Sequence, residues 1–347
     1  MPRRNFIQTV AALSAASAQE ASGAEMGSIT EIPGVRVGHF TDFRRPTGCT
    51  VVLFDNGAVG GVDVRGSGPG TRETDLLHPL NTVQQINAIL LSGGSAFGLD
   101  AAAGVMRYLE EHGKGYHVGP HTVPIVPAAI LFDLGVGDGK IRPDGEAGYA
   151  ACKNASEKVE QGNFGAGAGA TVGKMFGASF AMKSGVGTSC IKVADSGLIV
   201  GAIVAVNAIG DVMDYQSGKL LAGARTADGK GLRNTMATLI SGAHAHGQSG
   251  TNTTIAVVAT NAALTKSEVN KVAQMAHDGL ARSISPVHTG MDGDAVFAAA
   301  TGGSSAKSDV SRVGAIAAEA LARAVKQAVL SATSIPGYPA HRDLSAG

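Results

Sequence analysis

Apolar positions along the chain cluster in two patterns. Short, near-continuous apolar runs occur at Cys49 to Phe54, Ile86 to Leu91 and Leu198 to Ile209, and Val35 to Phe40 also reads as a short strand. Runs of that length, bounded by Gly, Ser, Asn and Asp, predict buried strands. A fifth follows a polar, glycine-bearing stretch and reads Thr253-Thr254-Ile255-Ala256-Val257-Val258-Ala259-Thr260. Elsewhere the apolar period is close to 3.6. A segment from about Ala96 to Glu111 predicts a helix. Val269, Val272, Ala273, Ala276 and Leu280 fall on one face behind Thr265-Lys266-Ser267-Glu268, a capping box, and that helix ends near Arg282, ahead of Pro286. A longer, Ala-rich helix spans about Ser311 to Ser331, with Val313, Ile316, Ala317, Leu321, Ala324 and Ala328 on its stripe. Residues 218–251 show no sustained period and predict a loose linker. Strands and helices interleave, which predicts layered α/β, with sheets between helices.

Composition narrows this picture. The chain has 347 residues, 44% hydrophobic and 16% charged, enough for a large core. Its 49 glycines cluster between apolar runs, as expected where backbones approach closely. Formal net charge is zero, with no basic stripe, which argues against a nucleic-acid partner. Cys49, Cys152 and Cys190 are odd in number and widely spaced, so neither a disulfide framework nor a zinc site is indicated. His244 and His246 lack a third ligand and do not make a metal site. The N-terminus differs in kind. Arg3-Arg4-Asn5-Phe6-Ile7 precedes a mild apolar run from Val10 to Ala18 that ends Ala16-Ser17-Ala18. It reads as a twin-arginine export signal, cut between Ala18 and Met26, and the run is too short for a membrane anchor. The expected location is periplasmic or secreted. A disordered tail on a cytoplasmic protein is the alternative.

Candidate chemistry centres on the Asn252–Thr253 junction. Cleavage there would make Thr253 an N-terminus that carries both a hydroxyl nucleophile and an α-amine with a reference pKa of about 7.7–8.0. The plainer reading is a pair of ordinary β-branched strand residues. Asp292 and Asp294, two apart before an apolar run, share a face if extended and need a cation or a proton between them. Alone they could equally be a solvated turn. They lack the spacing of a calcium loop. Lys174 follows the glycine-rich loop 162–170, and Asn207 ends an apolar strand, where its amide could donate to an oxyanion. By themselves these read as a surface lysine and a turn cap. Gly93-Gly94-Ser95 fits neither a nucleophile elbow nor a dinucleotide fingerprint and reads as scaffold or pocket wall.

In order along the chain, Gly34-Val35-Arg36-Val37-Gly38-His39, Leu91-Ser92-Gly93-Gly94-Ser95-Ala96-Phe97-Gly98-Leu99, Gly165-Ala166-Gly167-Ala168-Gly169-Ala170, Asn252-Thr253-Thr254-Ile255, Val258-Ala259-Thr260-Asn261 and Asp292-Gly293-Asp294 form a specific set. The chain resembles the self-processing aminopeptidase family that includes L-aminopeptidase/D-esterase, the β-aminopeptidases and the nylon-oligomer hydrolases. The resemblance implies a four-layer αββα sandwich of the ornithine-acetyltransferase-like type. It also implies a precursor, with residues 1–28 a signal or tail and 29–347 a single hydrolase domain, cut into a large chain, 29–252, and a small chain, 253–347. It assigns Thr253 as nucleophile, Asn207 as oxyanion residue, Lys174 as the lysine near the nucleophile, and Asp292 and Asp294 as the acidic pair. The β-aminopeptidase branch has a Ser nucleophile and a Ser/Glu pair instead, so β-peptide specificity does not follow. Phe132 stands where some relatives carry a pocket Tyr. The implied activity is an aminopeptidase acting on small peptides or aminoacyl amides without metal or organic cofactor, as a homo-oligomer of processed heterodimers. The alternatives are an amidase for ω-amino-acid oligomers, an acyltransferase using the same acyl-enzyme, and an unprocessed, non-catalytic binding protein on this scaffold.

Overall fold

The computed structural model describes residues 27–194, 196–247, 250–304 and 309–344. The arginine-bearing segment and its expected export signal lie outside the described residues. The main strands are β1 (Val35–Asp42), β2 (Thr47–Val64), β3 (Thr71–Arg72), β4 (Gln85–Ser92), β5 (Ala128–Ile130), β6 (Val186–Lys192), β7 (Ile199–Asn207), β8 (Thr253–Thr260) and β9 (Ala295–Ala300). The helices are α1 (Ala101–Glu111), α2 (Gly145–Lys153), α3 (Thr235–Ile240), α4 (Lys266–Ser283) and α5 (Val310–Leu330).

The nine strands form one sheet in the order β6-β7-β8-β9-β2-β4-β5-β3, with β1 also on β2. It is doubled over through β2. The first part of β2 pairs with β1 and β4, and its last part pairs with β9. The register with β4 jumps between Leu53 and Ala58, where Gly57 takes φ +76. A residue with a Cβ would be strained in that left-handed conformation. The bulge turns β2 from one sheet layer into the other.

Three cores then define four layers. Between the two sheet layers lie Val52, Phe54, Ile89, Leu91, Ile203, Ala205, Ile255, Val257 and Phe297. Outside one layer, α1 and α2 cover Val51, Leu53, Ala88 and Leu90. Outside the other, α4 and α5 cover Val200, Ala202, Val204, Ala256, Val258 and Ala298. This is the expected αββα sandwich. It explains the unbroken apolar runs: a strand covered on both faces cannot alternate with polar residues. All eight residues of β8 are buried. Small residues let the helices close on each other. A Cβ on Gly279 of α4 would sit 2.3 Å from the carbonyl oxygen of Ala318 in α5.

Two local expectations need correction. The helix predicted from Ala96 begins as a 3₁₀ turn, Ser95–Asp100, and becomes α-helical at Ala101. Residues 218–251 are not simply a linker. Leu220–Ala222 pairs with Asp211–Met213, and α3 follows. Buried Asp211 accepts from Thr235 N, Thr235 Oγ1 and Ala224 N at 2.6, 2.8 and 2.9 Å. Residues 220–240 are ordered by a buried polar anchor, which leaves no hydrophobic period to read. The capping box of α4 forms as expected, with Thr265 and Glu268 bonding reciprocally. Among the described residues no helix is long and apolar enough to cross a membrane.

Candidate active site

The site sits where β7 ends and β8 begins. Asn207 and Thr253 are direct partners in the antiparallel ladder. Both continue the odd-numbered face that Ile203, Ala205, Ile255 and Val257 direct into the inter-sheet core. Both are buried. A polar residue at such a position must find hydrogen bonds, and the partners found describe the site.

The Thr253 hydroxyl donates to the carbonyl oxygen of Asn252 at 2.5 Å. That oxygen also accepts from Gly293 N at 2.8 Å. The nucleophile candidate therefore lies beside the carbonyl of the bond expected to break, and that carbonyl is polarised by a backbone donor. Asn252 forms a parallel bridge with Asp292, which brings the acidic segment alongside. Gly293 is required here. A Cβ on it would lie 2.4 Å from Gly68 O and 2.7 Å from Thr253 Oγ1.

The acidic pair is buried, not a solvated turn. Asp294 Oδ1 accepts from Thr254 N at 2.7 Å, and Oδ2 accepts from His288 N at 3.2 Å and faces His288 Nδ1 at 2.8 Å. Asp292 Oδ2 accepts from Thr289 N and Thr289 Oγ1 at 2.9 and 2.6 Å. Burial raises the pKa of Asp292, and the negative charge of Asp294 raises it further.

Lys174 is not a surface lysine at its tip. Its Nζ donates to Asn207 Oδ1 at 2.7 Å, Asn207 O at 3.2 Å and Thr251 O at 3.3 Å. Burial lowers its pKa to about 7, against the opposing pull of Asp292, Asp133 and Asp294. Asn207 Oδ1 also accepts from Thr171 N at 3.1 Å. The Asn207 amide donates to Phe132 O at 3.0 Å and Thr251 O at 3.4 Å. In the uncut chain, then, Gly293 N rather than Asn207 supplies the donor on the Asn252 carbonyl. Thr253, Asn207, Lys174, Asp292 and Asp294, scattered over 121 positions from 174 to 294, converge on one end of the sandwich.

A cavity of about 340 Å³ opens beside them, lined by Phe132, Asp133, Thr171, Lys174, Thr251 and Tyr338 among others. Its volume suits a small substrate. The Gly93-Gly94 corner is its scaffold: Gly94 N donates to Asp133 Oδ1 at 2.8 Å, and buried Arg45 donates to the same oxygen at 2.6 Å. His246 lines the cavity, and the described residues contain no cluster that could hold a metal. Sequence reasoning missed His288 and His277. An isolated histidine after a helix carries no local signal, and only the packing of α4 against the Asp294 segment joins the two. It also missed Gly293, for which the neighbouring carboxylates gave a hint.

Comparisons with known proteins identify the family and the fold. The chain is 48% identical over 288 residues to an uncharacterised aminopeptidase of Mycobacterium leprae, covering 80% of this chain and 79% of that one. It is 33% identical over 275 residues to a 6-aminohexanoate-oligomer endohydrolase of a Kocuria species, covering 77% and 73%. Its fold resembles that of the L-aminopeptidase D-Ala-esterase/amidase of Ochrobactrum anthropi, an Ntn-hydrolase variant, with TM-score 0.67 and 18% identity over 93% of this chain and 94% of that one. A Burkholderia β-aminopeptidase gives TM-score 0.61 at 20% identity, covering 89% and 87%. The sequence profile of peptidase family S58 matches residues 27–342. With that match over nearly the whole described chain, the protein belongs to peptidase family S58.

Proposed function

We propose that this protein cuts its own chain between Asn252 and Thr253 and then works as an N-terminal-threonine aminopeptidase. The observation that carries the proposal is the Thr253 hydroxyl 2.5 Å from the Asn252 carbonyl oxygen, itself held by Gly293 N. In processing, Thr253 Oγ1 bonds to the Asn252 carbonyl carbon, the C–N bond breaks and the hydroxyl proton passes to the departing nitrogen, moving the acyl group from nitrogen to oxygen. Water then cleaves the ester. Asn252 leaves as a carboxylate and Thr253 gains a free amine.

In turnover the Thr253 hydroxyl attacks the substrate carbonyl, and the new amine takes the hydroxyl proton. The leaving amine departs protonated, and water resolves the acyl-enzyme. Once the 251–252 segment has moved away, the Asn207 amide and the Lys174 ammonium lose their bonds to Thr251 O. Both then point at an incoming carbonyl, the arrangement an oxyanion site needs. Asp294 anchors the start of β8 through Thr254 N, and Asp292 and Asp294 together hold the Thr253 amine. The substrate fills the cavity lined by Phe132 and Tyr338.

The M. leprae relative, at 48% identity, supports peptides or aminoacyl amides as substrates. The Kocuria endohydrolase, at 33%, supports ω-amino-acid oligomers as the second reading. Rates on aminoacyl amides, dipeptides and aminohexanoate oligomers separate the two. The proposal includes removal of an export signal within residues 1–28 and a periplasmic or secreted homo-oligomer of large (29–252) and small (253–347) chains. Mass spectrometry of purified enzyme tests the core of it. Two chains, the smaller starting at Thr253, are expected. Active enzyme made only of intact chain would refute it.

A further inference from the structure

Behind Asp294 runs a line of imidazoles that the proposed chemistry does not use. His288 Nδ1 lies 2.8 Å from Asp294 Oδ2, and His288 Nε2 lies 3.2 Å from His277 Nδ1. His277 Nε2 lies 3.0 Å from the backbone carbonyl oxygen of Asp63. Hydrogen-bond direction fixes the protons along this line. A carbonyl oxygen only accepts, so His277 Nε2 carries hydrogen. Burial lowers the pKa of His277 and disfavours its charged form, against the opposing pull of the Asp63 carboxylate 3.5 Å from Nε2, and this leaves its Nδ1 as an acceptor. His288 Nε2 must therefore donate to it. A neutral His288 would then turn a lone pair toward the Asp294 carboxylate. That contact at 2.8 Å is attractive only if one further proton lies in it.

We propose that His288 is a positioning residue that holds this proton against Asp294, making a net-neutral ion pair, and that His277 selects the ring nitrogen through which it does so. The proton rests on His288, because Asp294 already accepts from Thr254 N and His288 N, and both bonds favour a carboxylate. Backbone geometry agrees. His288 is one of four non-glycine residues among those described with positive φ, at 55°, and in that conformation its backbone N and its ring grip the same carboxylate oxygen. The side chain of Asp294 is 1% exposed, His277 0% and His288 16%. The groups facing the pair are His277 from α4, Asp63 from the end of β2 and Arg65 just beyond it, Asp292 from its own segment, and Lys174 across the site.

The consequence concerns the base, and it rests on Thr253 being the nucleophile. A bare Asp294 carboxylate, held one residue along at Thr254 N, would stabilise the ammonium form of the freed amine and remove the base. The His288 charge cancels that effect and keeps the amine available near neutral pH. Removing the charge should move the acid limb of kcat/KM upward.

Nitrogen-15 NMR of histidine-labelled Thr253→Ala protein tests the proton placement without reference to activity, with His288→Asn and His277→Gln identifying the signals. His277 is expected as the neutral Nε2–H tautomer and His288 as an imidazolium at pH 7. A neutral His288 protonated on Nδ1 overturns the proposal. In processed enzyme, His288→Asn keeps a donor in place of Nδ1 but carries no charge. The acid limb should rise by about one pH unit, an activity loss of about tenfold at pH 6 that shrinks at pH 9, with KM little changed. An equal loss at every pH would mean a merely structural role and would also overturn it. Should Thr253→Ala retain full hydrolysis, the nucleophile reading fails while the NMR result still stands on its own.

Discussion

Asn207 and Thr253 face each other across the β7–β8 ladder, each the terminal residue of its strand and each directed into the core between the sheets. The pairing is antiparallel, so the end of one strand meets the start of the other. The proposed nucleophile and the proposed amide donor are thereby set side by side by the strand register, the kind of fixed placement a preorganised site requires.

Thr253→Ala should abolish both processing and hydrolysis, because it deletes the hydroxyl that lies 2.5 Å from the Asn252 carbonyl oxygen. Thr253→Ser should process and retain part of the activity, since it loses only a methyl group. Gel analysis and amide-hydrolysis rates read both. Parent-rate hydrolysis by the alanine variant would remove Thr253 from the mechanism.

Asn207→Asp keeps an oxygen near Lys174 and Thr171 N but replaces the amide donor with a second oxygen. Loss of one oxyanion donor costs a factor of about 10²–10³ in kcat. A loss of that size, with fold retained by circular dichroism, is expected once the chain is processed. A change below threefold would assign Asn207 to structure only.

Asp292→Asn and Asp294→Asn preserve size and remove charge from a buried pair in which burial already disfavours the Asp292 carboxylate. Each should lower turnover at least ~10-fold, equivalent to about 1.4 kcal/mol of transition-state stabilisation. Steady-state kinetics on an aminoacyl amide decide this. Two near-wild-type variants would return the pair to a packing role.

Gly293→Ala and Gly290→Ala form a matched pair. The first adds a Cβ 2.7 Å from Thr253 Oγ1, whereas the second meets nothing within 4 Å. Processing followed over time should stall in Gly293→Ala and proceed normally in Gly290→Ala. Equal rates would show that the Asn252–Gly293 contact does not control cleavage.

His39 gives a pH dependence of stability. Burial lowers its pKa from 6.5 to about 4, while Nδ1 pairs with Thr50 Oγ1 at 2.9 Å. Its folded pKa lies below the unfolded value. The stabilisation from keeping it neutral is therefore complete above pH 6.5 and is lost as pH falls toward 4, on the order of 3 kcal/mol. The drop in Tm between pH 7 and 4.5 should be smaller in His39→Asn than in the parent. Identical drops would contradict the assignment.

The apolar runs by themselves determined that strands near residues 50, 88, 203 and 256 are buried on both faces, and the 3.6 period determined α4 and α5. Such patterns are local, because burial of a strand or of a helix stripe is written into consecutive residues. The ordered motifs also marked Lys174, Asn207, Thr253, Asp292 and Asp294. Their meeting, by contrast, was decided by the fold. The β7–β8 register sets Asn207 opposite Thr253, and the Asn252–Asp292 bridge brings the acids in. The packing of α4 joins His277 to His288 and Asp294. The order of residues 220–240 was likewise a tertiary matter, because it depends on one buried carboxylate, Asp211, reaching Thr235 across 24 positions. Hydrogen-bond direction, burial and charge pairing exist only between groups already brought together, so no window along the chain could contain them.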